Sequence, residues 1–174
     1  MTFDIRAEGP KDQKQIHQVV WSAFSRPGEA ELVRTIRSRQ QSLISLVALW
    51  GDLIVGHVLV SPVTVAREFK AVTTSGNFAG IAPLSVLPQY QRQGVGSALM
   101  RATIAASRDL GLSALFLLGE PNYYGRFGFS RSHLANEYGA TTAFMQLELI
   151  HGTLASTKGV VRYVSAFNEE LPHE

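Results

Sequence analysis

The chain is expected to fold as a single α/β domain, a mixed sheet flanked by helices, on three observations. Apolar runs rich in β-branched residues alternate with segments of helical spacing along its 174 residues. The stretch from Phe78 to Leu118 reads as strand, helix, strand, one βαβ unit. The remaining strands fall in a hairpin and in two late runs, so the sheet is mixed rather than wholly parallel. A chain of this length can bury about 70% of its unfolded surface, enough for one core and short for two, so residues 1–174 are taken as one domain.

Phe3 to Ala7 reads as the first strand. Pro10 stands where a first helical turn tolerates proline, ahead of Ile16, Val19, Val20 and Phe24 at helical spacing. Leu32, Val33 and Ile36 mark a second helix, with Arg34 and Arg37 expected on its solvated side. Leu43 to Trp50 and Leu53 to Ser61 are joined by Gly51 and Asp52, an order that a two-residue type II′ hairpin accepts. Residues 63–77 are polar and are not placed. Phe78 to Leu87 is the next strand, and Val95, Ala98, Leu99, Ala102 and Ala106 trace a helix that Gly111 stops after Leu110. Ala114 to Leu118 has the continuous apolar character of a strand buried on both faces. Ala143 to Ile150 and Val160 to Val164 complete the sheet.

Composition excludes several classes of function. Hydrophobic residues make up 45% and charged residues 17% of the chain, which sets it apart from disordered sequences. With 16 basic and 14 acidic side chains the formal charge is +2, too slight for an extended nucleic-acid footprint. There is no cysteine, so disulfide scaffolds, thiolate metal sites and cysteine nucleophiles are absent. His17, His133, His151 and His173 show no metal-ligand spacing, and no metal is expected. Met1 to Arg6 carries Asp4 with no apolar stretch behind it, and no run approaches the roughly 20 apolar residues that span a bilayer. A cytoplasmic protein without membrane attachment is the expectation.

The chemistry is sought between the strand ending near Leu87 and the helix beginning near Val95, in Pro88-Gln89-Tyr90-Gln91-Arg92-Gln93-Gly94-Val95-Gly96-Ser97. Glycine lets a backbone approach a ligand closely, and the first N–H groups of a helix lack intrahelical partners and face an anion with the positive end of the dipole behind them. A pyrophosphate suits such a turn, with Arg92 adding charge. Two glycines before a helix also make an ordinary tight turn. A dinucleotide fingerprint is rejected because position 99 is Leu where a third glycine would stand. Gly51 to Gly56 mimics P-loop spacing, but His57 replaces the lysine.

The longer run from Leu84 to Gly96 closely resembles motif A of the GNAT superfamily of N-acetyltransferases, in which a strand ending in Val-x-Pro is followed by Gln/Arg-x-x-Gly-x-Gly/Ala. Tyr124-Gly125-Arg126-Phe127-Gly128-Phe129 fits the family's Tyr-x-x-x-Gly-Phe ending. This resemblance covers residues 80 to 129 at the level of motifs and the N-terminal elements only in their order. It implies a GNAT-like fold, mostly antiparallel, with two central strands splayed apart. It also implies acetyl-CoA as co-substrate, its pyrophosphate on Gln91, Arg92, Gln93, Gly94, Val95 and Gly96 and its pantetheine along the backbone of Leu84, Ser85 and Val86. Direct transfer of the acetyl group to a primary amine on a small molecule or peptide follows, with both substrates bound together.

By the same resemblance Tyr124 is the general acid that protonates the departing thiolate, a role worth about 10² to 10⁴ in rate. The alternative is that Tyr123, Tyr124, Phe127 and Phe129 form a core cluster, and Tyr123 is the one assigned to packing. Asn122 stands two residues before Tyr124, closer than the family's usual Asn-x-x-Ala spacing, which implies a shortened helix there. Glu120 is the nearest acidic side chain and the candidate base, with a loop-capping carboxylate as its alternative. His57, inside an apolar strand, is expected to be a hydrogen-bonded core histidine. A module that binds acyl-CoA without turnover is the other functional class. The acceptor's identity is not legible, and a homodimer is compatible with the sequence without being indicated by it.

Overall fold

The computed structural model describes residues 2–66 and 77–171. In chain order the elements are β1 (Asp4–Ala7), α1 (Gln13–Phe24), α2 (Gly28–Ser38), β2 (Ile44–Trp50), β3 (Leu53–Pro62), β4 (Thr64–Ala66), β5 (Phe78–Val86), α3 (Val95–Asp109), β6 (Ala114–Leu118), α4 (Pro121–Tyr124), β7 (Ser130–Arg131), β8 (Ala135–Asn136), β9 (Phe144–Glu148), β10 (Val160–Arg162) and α5 (Ala166–Glu170). Of the stretch left unplaced by sequence, β4 is described and residues 67–76 lie outside the described residues. No described helix is long and apolar enough to cross a membrane.

The main sheet runs β1-β2-β3-β5-β6-β9-β7 and is antiparallel except for β5 and β6. Trp50 pairs with Leu53 across the two-residue turn, so the expected hairpin forms. One layer packs α1 and α2 on the sheet through Ile16, Val20, Leu32 and Ile36, which meet Val47, Leu59 and Phe116. The opposite layer packs α3 on Val58, Val60 and Ile81 through Val95, Leu99 and Met100. Fully burying each such side chain stabilises the fold by about 1.5 to 3 kcal/mol.

Four expectations need correction. Helix α1 begins at Gln13, with Pro10 in the preceding turn, because Asp12 is held by Arg6 and by the Gly9 amide at the helix entrance. The buried stripe of α3 is Val95, Leu99, Met100, Thr103, Ile104 and Ser107, with the alanines at its margin. Thr103 and Ser107 can be buried because their hydroxyls donate to the carbonyls of Leu99 and Thr103, one turn back. Strand β10 does not join the main sheet: it lies between β4 and β8 in a separate three-stranded sheet. Arg34 is exposed as expected, but Arg37 donates Nε and Nη2 to the two oxygens of Glu8 at 2.7 and 2.9 Å.

That fork belongs to a polar group beneath α2 that ties β1, β2 and β3 together. Ser45 donates to Glu8, and His57 Nε2 lies 2.8 Å from Ser45 Oγ and 3.6 Å from a Glu8 oxygen. His57 is fully buried, so the expectation of a hydrogen-bonded core histidine holds. Burial lowers its pKa more than Glu8 raises it. Burial alone would raise the Glu8 carboxyl, but the nearby His57 ring and the bonds from Arg37 and Ser45 hold it far below its ordinary value. Both groups therefore carry fewer protons folded than unfolded, and the stability they contribute is full at neutral pH and lost on acidification. The loss begins as pH falls through about 6.5 for His57 and through about 4.5 for Glu8. The melting temperature should fall from pH 7 to pH 5, at most about 1.4 kcal/mol per pH unit per proton. His57→Leu should flatten that segment, and an unchanged slope would show that His57 does not cause it.

Candidate active site

The parallel pair β5 and β6 is bonded over only three registers, Phe78 with Ala114, Ala79 with Leu115 and Gly80 with Phe116. Beyond Gly80 the strands part. The register of β5 on β3 also shifts between Val58 and Val60, at Ala82 and Pro83, and proline has no N–H to give a ladder. This is the splay that the sequence reading expects between the central strands.

Antiparallel alternation decides which backbone groups face the opening. Leu87 donates to the Val55 carbonyl at 2.9 Å, and Ser85 stands opposite His57 two residues further along the ladder. The polar backbone groups of Ser85 are thus directed at β3, whereas those of Leu84 and Val86 face away from it. Ser85 was expected to bind pantetheine together with Leu84 and Val86; the register leaves the backbone groups of Leu84 and Val86 facing away from β3 and turns those of Ser85 toward it, its side chain buried.

After Val86 the chain makes one turn of 3₁₀ helix, Pro88–Tyr90, and enters α3. Gln91 donates its side-chain amide to the Val86 carbonyl at 3.1 Å and Gln93 donates to the Gln89 carbonyl at 2.7 Å, so both side chains strap the loop. Arg92 and Gly94 have φ of 59° and 94°, a left-handed pair that bends the backbone into the helix. Gly94 caps α3 without a side-chain acceptor, so the first amides of the helix are open to a ligand. Val95 anchors the helix start in the core. At Gly96 a Cβ would stand 2.7 Å from the Tyr123 hydroxyl, so a side chain there requires that hydroxyl to move aside.

Loop and splay enclose a cleft of about 320 Å³. Leu84, Val86, Gln91, Arg92 and Gly96 border it, with Ala23 and Phe24 from the end of α1 and Tyr123 and Tyr124 from α4. Gln93, Gly94 and Val95 shape the loop without lining the cleft. A second cavity, of about 410 Å³, opens between α1, α2, β5, β6 and the C-terminal segment. The two share only Phe24, Leu84 and Tyr124.

Helix α4 is a single turn, as the short Asn122 spacing implies. Pro121 occupies its first position, and Glu120 caps it, one carboxylate oxygen accepting from the Asn122 amide at 3.0 Å and the other from the Tyr123 amide at 2.7 Å. Both oxygens of Glu120 are engaged in the cap and it borders neither cavity, which is the capping alternative to a base. Tyr124 packs edge-on against Tyr123 and Phe129, and its pKa is pushed up to about 12, first by burial and then by Tyr123. Tyr123, expected only to pack, also brings its hydroxyl to Gly96 in the first turn of α3, while Arg126 lies 4.5 Å over its ring. Sequence reasoning missed the second cavity entirely, since its walls come from positions as far apart as Phe24 and Leu171 and no local motif joins them.

Residues 13–129 match the acetyltransferase (GNAT) family. The chain belongs to this family. A GNAT-like fold and an acetyl-CoA-dependent N-acetyltransferase, the expectations drawn from motif A, therefore hold. Among its relatives, the uncharacterized N-acetyltransferase YhbS of Escherichia coli is 31% identical over 172 residues, which is 94% of this chain and 98% of that protein. The crystal structure of YhbS in complex with CoA superposes with a TM-score of 0.88 at 30% identity, covering 95% of this chain and 92% of that one. A GNAT family acetyltransferase from Brucella melitensis, solved in complex with acetyl-CoA, gives a TM-score of 0.80 at 31% identity over 95% of this chain and 98% of that one. These complexes agree with acetyl-CoA as the co-substrate of this GNAT protein. Among the described residues, no group of three or more His, Asp or Glu side chains could hold a metal ion.

Proposed function

We propose that this GNAT protein moves an acetyl group from acetyl-CoA directly to a primary amine, with both substrates bound and Tyr124 acting as general acid. The observation that carries the reading is the position of Tyr124, which borders both the cleft beside the phosphate loop and the second cavity. A thioester at that boundary would meet an amine arriving from the second cavity. The nitrogen lone pair forms the new C–N bond, the C–S bond breaks, the thiolate takes the Tyr124 proton, and the proton that the new amide nitrogen gives up passes, directly or through water, to the Tyr124 oxygen and restores the phenol. With its pKa near 12 this phenol is protonated at neutral pH without further tuning.

An alkylammonium with a pKa near 10.4 must lose a proton before it attacks, a cost of about 4 to 5 kcal/mol at pH 7. Glu120 was the candidate for that task, but its capping bonds make it a positioning residue for α4 in this reading. Phosphates are assigned to the first amides of α3 and to Arg92, and pantetheine to the backbone of Leu84 and Val86.

With no cysteine in the chain to carry an acetyl group, direct transfer is the expected kinetic order. Initial rates with varied acetyl-CoA and amine should give intersecting double-reciprocal lines. Enzyme mixed with acetyl-CoA alone should keep its unmodified mass. A competent acetyl-enzyme would overturn the mechanism, and absence of thiol release with every amine tried would favour a binding module instead.

A further inference from the structure

The second cavity has a lining that selects for a class of amine. Its walls are aromatic and aliphatic: Phe24, Leu32, Tyr138, Tyr163 and Phe167 surround it, with the Tyr163 ring 5.9 Å from Tyr138 and 4.8 Å from Phe167. The Tyr163 ring lies directly against the backbone at Gly80, where the β5 and β6 pairing ends, so the aromatic wall reaches the root of the splay. Polar groups interrupt the apolar lining, among them the Tyr163 hydroxyl and the Arg26–Glu29 pair. Tyr163 is 7% exposed and its hydroxyl has no hydrogen-bond partner among the described residues. Glu29, in the first turn of α2, is 4% exposed and is the one carboxylate among the described residues that borders the cavity. Arg26 donates Nε to both of its oxygens at 3.0 Å while its own side chain is largely exposed.

We infer that the acceptor is a primary amine carried on a compact one- or two-ring apolar body, with the ring against Tyr163 and Phe167 and the amine received by Glu29 and the Tyr163 hydroxyl. The inference rests on the transfer reaction proposed above and names its substrate class. A volume of about 410 Å³ lies toward the small end of ligand pockets, suited to a ring and a short arm. A polyamine or a peptidyl lysine fits this lining poorly. With Glu29 already shared with Arg26, each further charge would be stripped of water without a partner. Glu29 has lone pairs beyond those the Arg26 fork uses, so it can take an ammonium without losing the arginine.

The test uses the whole chain at saturating acetyl-CoA, scored by thiol release and product mass. 2-Phenylethylamine and tryptamine should exceed ethylamine, spermidine and Nα-acetyl-lysine in kcat/KM by about 10²-fold, the effect of burying one ring. Glu29→Gln, nearly isosteric, should lower kcat/KM for 2-phenylethylamine about 30-fold, as expected when one partner of a buried charged contact is neutralised. Preference for spermidine, Nα-acetyl-lysine or ethylamine would overturn the inference. So would preference for phenylalanine, which would give Arg26 a carboxylate to read. Thermal stabilisation by CoA is measured beside each assay. Wild-type protein that CoA does not stabilise would defeat the transfer reading itself, whereas CoA stabilisation with no gain from a ring defeats only the acceptor class. A Glu29→Gln protein that CoA stabilises and that keeps full kcat/KM would remove Glu29 from the site. Should that variant fail to fold, the wild-type substrate panel decides alone.

Discussion

Tyr124→Phe is expected to lose about 10² to 10⁴ in kcat while binding acetyl-CoA nearly as well as wild type. The substitution keeps the ring that packs on Tyr123 and Phe129 and removes only the hydroxyl at the border of the two cavities. Because burial and then Tyr123 push this phenol up to about 12, its proton stays in place across the neutral range. Activity should therefore show no alkaline loss from this group below about pH 10. Tyr123→Phe is the paired control. Its hydroxyl sits at Gly96, so its loss should appear chiefly in KM for acetyl-CoA, at about 0.5 to 1.5 kcal/mol for one hydrogen bond. Single-turnover rates decide between them: a fast Tyr124→Phe enzyme beside a crippled Tyr123→Phe enzyme would move the acid by one residue. Two fast enzymes would end the tyrosine mechanism.

Gly96→Asp should abolish acetyl-CoA binding without unfolding the protein. A ligand at 100 times its Kd adds about 2.7 kcal/mol, roughly 5 to 10 °C in Tm for a chain of this size, and the variant should show no shift at all. Two effects act together: any Cβ at this position meets the Tyr123 hydroxyl at 2.7 Å, and the carboxylate places negative charge where the pyrophosphate is proposed to lie. Retention of wild-type affinity in isothermal titration, with an unchanged circular dichroism spectrum, would show that the phosphates bind elsewhere.

Local signals carried most of the fold and the shape of the loop that enters α3. The βαβ unit, the Gly51-Asp52 hairpin and the glycine-rich entrance to α3 were legible because each depends on residues close in sequence. The fate of Ser85 was not, since a motif names a strand without saying which of its residues face the neighbouring strand; that takes the register of β5 on β3. Arg37 misled for a similar reason. Helical spacing placed it opposite Leu32 and Ile36, but β1 comes close enough for Glu8 to reach it. The strand at Val160 was recognisable from its β-branched residues, whereas its membership of a second sheet depends on β4, in a stretch that composition could not place. The second cavity was invisible because Phe24, Glu29, Leu118 and Tyr163 meet only in three dimensions.

The parting of β5 from β6 makes an edge in the interior of a sheet. Edge strands invite pairing with foreign chains, and most proteins blunt them with charge or proline at the rim. Here the backbone of Leu84 and Val86 that faces away from β3 lies between the end of α1 and the turn of α4, with the Val86 carbonyl already taken by Gln91. A slender chain with amides of its own can offer such an edge the hydrogen bonds that a neighbouring strand would. Under the transfer reaction proposed above, pantetheine would cover this edge from within.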